Sequence, residues 1–102
     1  MVVCKASEED IIDRTMLAKV GQEILNVKEI KACFVIGKIT NTDVGISARS
    51  DGTINVQKIM ESLNGGGHFS SAATQIENSN IEDTKKILYS KLEVFIGDTR
   101  IE

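Results

Sequence analysis

A chain of 102 residues, 41% apolar and 26% charged, is long enough for one hydrophobic core, too short for two, and unlike a disordered segment in its balance. Its 12 basic and 15 acidic residues leave a net charge of -3, which excludes a general basic field for gripping long nucleic acid but permits a small anion held at a local site. Cys4 and Cys33 are too few and too isolated for a disulfide framework or a zinc site and point to a reducing, cytosolic setting; no signal-peptide layout opens the chain, and no apolar run nears the roughly 20 residues that cross a bilayer.

Along the chain, residues 2–5 predict a buried first strand, and its lack of any lead-in is what a domain cut from a larger protein would show. Ser7 is a candidate N-cap, with Glu8, Glu9 and Asp10 at the positive end of a helix dipole. Ile12, Met16, Val20 and Ile24 then recur every four residues beside Leu17 and Leu25, predicting an amphipathic helix to about Asn26 with its apolar face on a sheet. The run Ala32, Cys33, Phe34, Val35, Ile36 predicts a central strand covered on both faces. After a turn at 41–43 the chain alternates, with Val44, Ile46 and Ala48 on one face and Gly45, Ser47 and Arg49 on the other, so the two runs form a hairpin.

Asn55 is expected to cap a second helix carrying Val56, Ile59, Met60 and Leu63, which Asn64 and Gly65 end, with Gly65 in a left-handed conformation. Residues 69–76 predict a short helical turn over 70–73 leading into a strand at 74–77, with one strand throughout as the alternative. A last helix sets Ile81, Thr84, Leu88, Leu92 and Phe95 on one face and stops at Gly97. The sum is an α+β domain over residues 1–98, a mixed sheet of about four strands covered by amphipathic helices, with residues 99–102 as a tail.

One stretch needs a chemical reason. A helix end accounts for Gly65, but Gly66 and Gly67 are surplus. Backbone without Cβ atoms can turn its N–H groups toward an anion, and His68, the chain's only histidine, carries an N–H donor in either protonation state. Ser47 and Arg49, about 7 Å apart along one strand face, add a hydroxyl and a fork of donors suited to phosphate. Only one short helix separates them from the glycines, so a single pocket is expected. Each piece alone has a plainer explanation: a glycine-rich connector with an exposed histidine, and a solvated strand face with an arginine on it.

Taken together, Ser47-Ala48-Arg49-Ser50, Asn55-Val56, Gly65-Gly66-Gly67-His68 and Ala72-Ala73 resemble the DHHA1 domain, the C-terminal substrate-binding partner of DHH-family phosphoesterases, over nearly the whole chain. With Thr74-Gln75 after the alanine pair, the chain is most similar to the membrane-anchored cyclic-di-AMP phosphodiesterases of Gram-positive bacteria. The resemblance implies the substrate-binding domain of a metal-dependent enzyme that hydrolyses cyclic-di-AMP to a linear dinucleotide. Backbone donors from Gly65, Gly66 and Gly67 and a side-chain donor from His68 would hold a phosphate, with Arg49 neutralising its charge and Ser47 adding a hydroxyl bond beside it. Phe69 or Ala73 would contact base or ribose, although a phenylalanine in that place also suits a core anchor.

The same resemblance implies an upstream DHH catalytic domain holding two divalent metal ions, typically manganese. With no Asp-His-His run, the chain itself would bind no metal or cofactor and hold no catalytic residue beyond an auxiliary His68. It would be a cytoplasmic domain of a membrane-anchored, homodimeric parent, with a cyclic or short linear dinucleotide as its partner. Two alternatives stay open: the partner domain of a nanoRNA or single-strand exonuclease of the same superfamily, and a non-catalytic nucleotide-sensing module.

Overall fold

The apolar run at 32–36 lies where its composition requires, on an interior strand of a sheet that helices cover on both faces. The computed structural model describes residues 1–27 and 29–101, with 97–101 given by their backbone alone. Its elements are β1 (Val2–Lys5), α1 (Arg14–Leu25), β2 (Ala32–Lys38), β3 (Val44–Ser50), α2 (Val56–Glu61), β4 (Gly66–His68), β5 (Ser71–Ile76) and α3 (Ile81–Ile101). Five strands form one mixed sheet in the order β1-β2-β3-β5-β4, parallel only between β1 and β2. This is the expected α+β architecture with one strand more, because β4 consists of Gly66, Gly67 and His68 and pairs with a β5 that is a strand from Ser71 onward rather than a helical turn.

Strand alternation divides the core. Ala32, Phe34 and Ile36 of β2, with Val44, Ile46 and Ala48 of β3, meet Val56, Ile59 and Met60 of α2 and Ile81, Leu88 and Leu92 of α3. The other face carries Cys33, Val35, Gly37, Gly45, Ser47 and Arg49, and α1 packs there on β2 and β3. Leu17, 2% exposed, fits over the paired glycines Gly37 and Gly45, whose missing side chains make room for it. Gly21 lets the helix approach Val35, Cys33 and the stem of Arg49.

The first helix departs from its expected form. It starts at Arg14, capped by Asp13, whose Oδ1 accepts the Met16 N–H at 2.8 Å. Ser7 closes a local turn, and Glu8 does sit at a helix's positive end, but that of α3: it accepts from the N–H groups of Ile81 (3.1 Å) and Glu82 (3.3 Å). The buried α1 residues are Leu17 and Gly21, while Met16 and Val20 of the four-residue series are 48% and 37% exposed.

The second helix ends on Asn64, which takes the left-handed conformation (φ 63°) that Gly65 was expected to take. Helix α3 runs through Gly97 to Ile101, so residues 99–101 continue the helix, and Glu102 lies outside the described residues.

Candidate functional site

Pairing registers place residues from all five strands in lines across the sheet. Val2, Cys33, Arg49, Ser71 and His68 form one line on the α1 face; Cys4, Val35, Ser47, Ala73 and Gly66 form the next on the same face. The line between them, Val3, Phe34, Ala48, Ala72 and Gly67, faces the opposite side. Arg49 and His68 thus share one face, two strand spacings or about 10 Å apart. Helix α1 covers β2 and β3 and stops short of β5 and β4, where Ala73, Gly66 and His68 are exposed. The result is a bare shelf bounded by Arg49 and His68 and floored by small residues.

The three glycines have three different reasons. A Cβ on Gly65 would stand 2.2 Å from Ala73 O and 2.5 Å from Thr74 Cβ. At Gly67 it would stand 2.5 Å from Ser71 O, on a backbone whose φ of 143° side chains rarely adopt. At Gly66 it would meet nothing within 4 Å. Chain packing therefore requires Gly65 and Gly67, and Gly66 alone keeps open a surface that no part of the described chain uses.

The amides divide otherwise than the sequence predicts. The Gly65 N–H donates to Met60 O at 2.8 Å, so it is not turned to a guest. The Ser50 N–H donates to Ser70 O at 2.9 Å, which sets the alternation along β5: Ala72 and Thr74 bond toward β3, Ser71 and Ala73 toward β4. Gly66 and His68 accordingly bond into the ladder, and Gly67 turns its N–H to the free edge. Of three amides expected to cradle an anion, one remains available.

Ser47 is 6% exposed, and its hydroxyl makes no hydrogen bond within the described residues although its oxygen is not sealed off from solvent. It opens into a cleft of about 350 Å³ between α1 and the sheet, lined by Arg14, Leu17, Ala18, Gly45, Ala73 and Gln75 among others. The half-buried Arg49 donates from Nη1 to Gln22 Oε1 at 3.3 Å, leaving most of its five donors open. Phe69 is 46% exposed at the β4–β5 turn, which removes the core-anchor alternative.

Arg14, Gln22 and Gln75 escape the sequence reading as site residues. Arg14 donates to Gln75 Oε1, and Gln75 Nε2 donates to Asp43 Oδ2 at 3.0 Å. Placing the helix start at Ser7 hides Arg14 inside a helix, when it actually begins α1 beside the cleft. The usable signal was Asp13, a good N-cap one residue before Arg14.

Asp43 also accepts from the Asn78 N–H (3.2 Å) and Thr42 Oγ1 (3.0 Å), and these bonds, the backbone one foremost, hold its carboxyl below the usual carboxylate range. A depressed folded-state pKa stabilises the fold above the unfolded pKa and loses that contribution as pH falls through the folded value. Asp43→Asn should therefore flatten part of the stability loss below about pH 4, as read from thermal midpoints across an acid series; an unchanged acid limb would contradict this role.

The DHHA1 domain family model matches residues 1–94, and the chain belongs to that family. It is 44% identical over 98 residues to a membrane protein–large ribosomal subunit bL9 fusion protein of Aster yellows witches'-broom phytoplasma, covering 94% of this chain and 12% of that protein. It is 38% identical over 95 residues to the cyclic-di-AMP phosphodiesterase PdeA of Listeria monocytogenes, covering 93% of this chain and 14% of that protein. The chain thus spans about an eighth of the length of these relatives. Among solved structures, the pGpG-specific phosphodiesterase PggH from Vibrio cholerae shares the fold, with a TM-score of 0.60 at 15% identity over 95% of this chain and 33% of that one.

Proposed function

We propose that this chain is the substrate-binding domain of a metal-dependent phosphodiesterase that hydrolyses cyclic-di-AMP to a linear dinucleotide, with a substrate phosphate on the line from Arg49 through Ser71 to His68. The observation that carries this reading is a guanidinium and an imidazole on one line of one sheet face, Arg49 on β3 beside α1 and His68 on β4 beyond the reach of that helix's packing. Relatives named as cyclic-di-AMP phosphodiesterases support the substrate class.

Each residue has a chemical part. Arg49 supplies fixed positive charge and paired donors, His68 an N–H from the far side of the shelf, and Ser47 a hydroxyl without an internal partner. Gly66, with the exposed Ala73 beside it, lets a sugar or phosphate lie against the strand, and the Gly67 N–H is open to it at the edge.

Among the described residues no group of three or more His, Cys, Asp or Glu side chains could hold a metal ion. Two divalent ions, manganese in this proposal, belong to an upstream DHH catalytic domain, and the part of this chain is to bind and orient the phosphodiester. No described helix is long and apolar enough to cross a membrane. A membrane anchor and a homodimeric parent are proposed for the longer protein.

The test uses that longer protein. Arg49→Ala and His68→Ala should each lower kcat/KM for cyclic-di-AMP by roughly 10- to 100-fold, the worth of a hydrogen bond to a charged group, while the thermal midpoint moves by less than about 4 °C. Full activity in both variants would remove the site. Faster hydrolysis of short linear RNA than of the cyclic dinucleotide would favour the exonuclease alternative.

A further inference from the structure

We propose that Arg14, clamped by Gln75 at the mouth of the cleft beneath α1, is a second cationic contact that lets this site distinguish a dinucleotide from a mononucleotide; the inference rests on the phosphate-binding reading above. The cleft and the Arg49–His68 line are neighbours but not the same place. Gln75 lies four residues along β5 from Ser71, about 13 Å, in register with Gly45 rather than Arg49. A mononucleotide with its phosphate between Arg49 and His68 leaves the cleft unfilled, whereas a second nucleotide extends along the shelf past Ser47 into it.

The cleft suits that occupant. Its volume of about 350 Å³ is framed by the small Ala18, Gly45 and Ala73, with the Ser47 hydroxyl opening into it. This lining accepts a flat heteroaromatic ring or a ribose and offers one hydrogen-bonding oxygen. Arg14 stands at its rim, and a guanidinium there can stack on a base or bond a phosphate.

The chain holds Arg14 in place before any guest arrives. Gln75 Oε1 accepts from Arg14 Nη2 while Gln75 Nε2 donates to Asp43, which is itself fixed by Asn78 and Thr42. An arginine already oriented loses less side-chain freedom on binding. Asp13 accepts the Met16 N–H, and Asp43 takes its hydrogen bonds from neutral donors, although its carboxylate also feels the Arg14 charge. Arg14 makes no salt bridge among the described residues. Only Nη2 is engaged, so the remaining donors of the guanidinium stay available.

The experiment titrates the ¹⁵N-labelled 102-residue chain with adenosine monophosphate, 5′-phosphorylated diadenylate and cyclic-di-AMP while following amide shifts. All three should perturb Arg49, Gly67 and His68, and only the dinucleotides should also perturb Arg14, Ala18 and Gln75. Arg14→Ala should weaken the better dinucleotide roughly tenfold and leave the monophosphate affinity within error, at an unchanged thermal midpoint. Arg49→Ala should weaken all three. Equal weakening of mono- and dinucleotide by Arg14→Ala, or none of either, overturns the assignment of Arg14 and leaves the phosphate site intact. Absence of perturbation at Arg49 and His68 with every ligand overturns the phosphate site and this inference with it.

Discussion

Gly65→Ala and Gly67→Ala should each destabilise the domain by about 3 kcal/mol, whereas Gly66→Ala should leave it unchanged or up to about 1 kcal/mol more stable. At Gly65 the obstacle is backbone: a new methyl would face Ala73 O at 2.2 Å, and a ladder carbonyl cannot swing aside as a flexible side chain can. At Gly67 the clash with Ser71 O at 2.5 Å adds to a φ of 143°, so both space and conformation oppose any side chain. Gly66 has open space and a φ outside the left-handed region, so alanine there mainly reduces the freedom of the unfolded chain. For a domain of this size the first two losses amount to a fall of roughly 12–24 °C in thermal midpoint, measurable by circular dichroism. The same Gly66→Ala protein should bind dinucleotide more weakly, since its new methyl stands on the shelf beside Ala73. One motif then separates into two residues kept for the fold and one kept for the guest; a midpoint loss at Gly66 matching its neighbours' would refute that division.

Whatever depends on local alternation could be read directly. Val44, Ile46 and Ala48 against Gly45, Ser47 and Arg49 gave the correct faces of β3 because period two is a property of the strand itself. Strand β4 was beyond such reading. Gly-Gly-His has no preference for a strand, and its extended state comes from bonding to β5, a partner that the sequence leaves ambiguous. Similarly, Ser7 followed by acids reads as a helix start, while the helix that Glu8 caps lies more than seventy residues further on. The site is legible to the same degree: Arg49, Ser47, Gly66 and His68 come onto one face, but which glycine amides are occupied, and that Arg14 reaches the cleft, depend on register and on where α1 begins.

Leu17→Ala should cost about 3 kcal/mol and should disturb the site more than its distance from Arg49 suggests. Leu17 and Gly21 are the only buried residues of α1, with Ala18, Ile24 and Leu25 half-buried, so Leu17 is the one large side chain that the helix buries fully against the sheet. Its Cδ2 lies 2.9 Å from where a Gly37 Cβ would be, and its Cδ1 3.2 Å from that of Gly45. Truncation leaves a hole over this glycine pair that β2 and β3 have no side chains to fill. Helix α1 also carries Arg14, Ala18 and the Gln22 that holds Arg49, so loosening it should broaden or shift the amide signals of these residues. Filling the hole from below tests the geometry. Gly37→Ala alone presses on Leu17 and should be destabilising, yet in the Leu17→Ala background the added methyl occupies vacated space, so the double variant should lose less stability than the two single losses combined. Denaturant midpoints of the four proteins measure that coupling, and simple additivity would mean that Leu17 does not rest on Gly37.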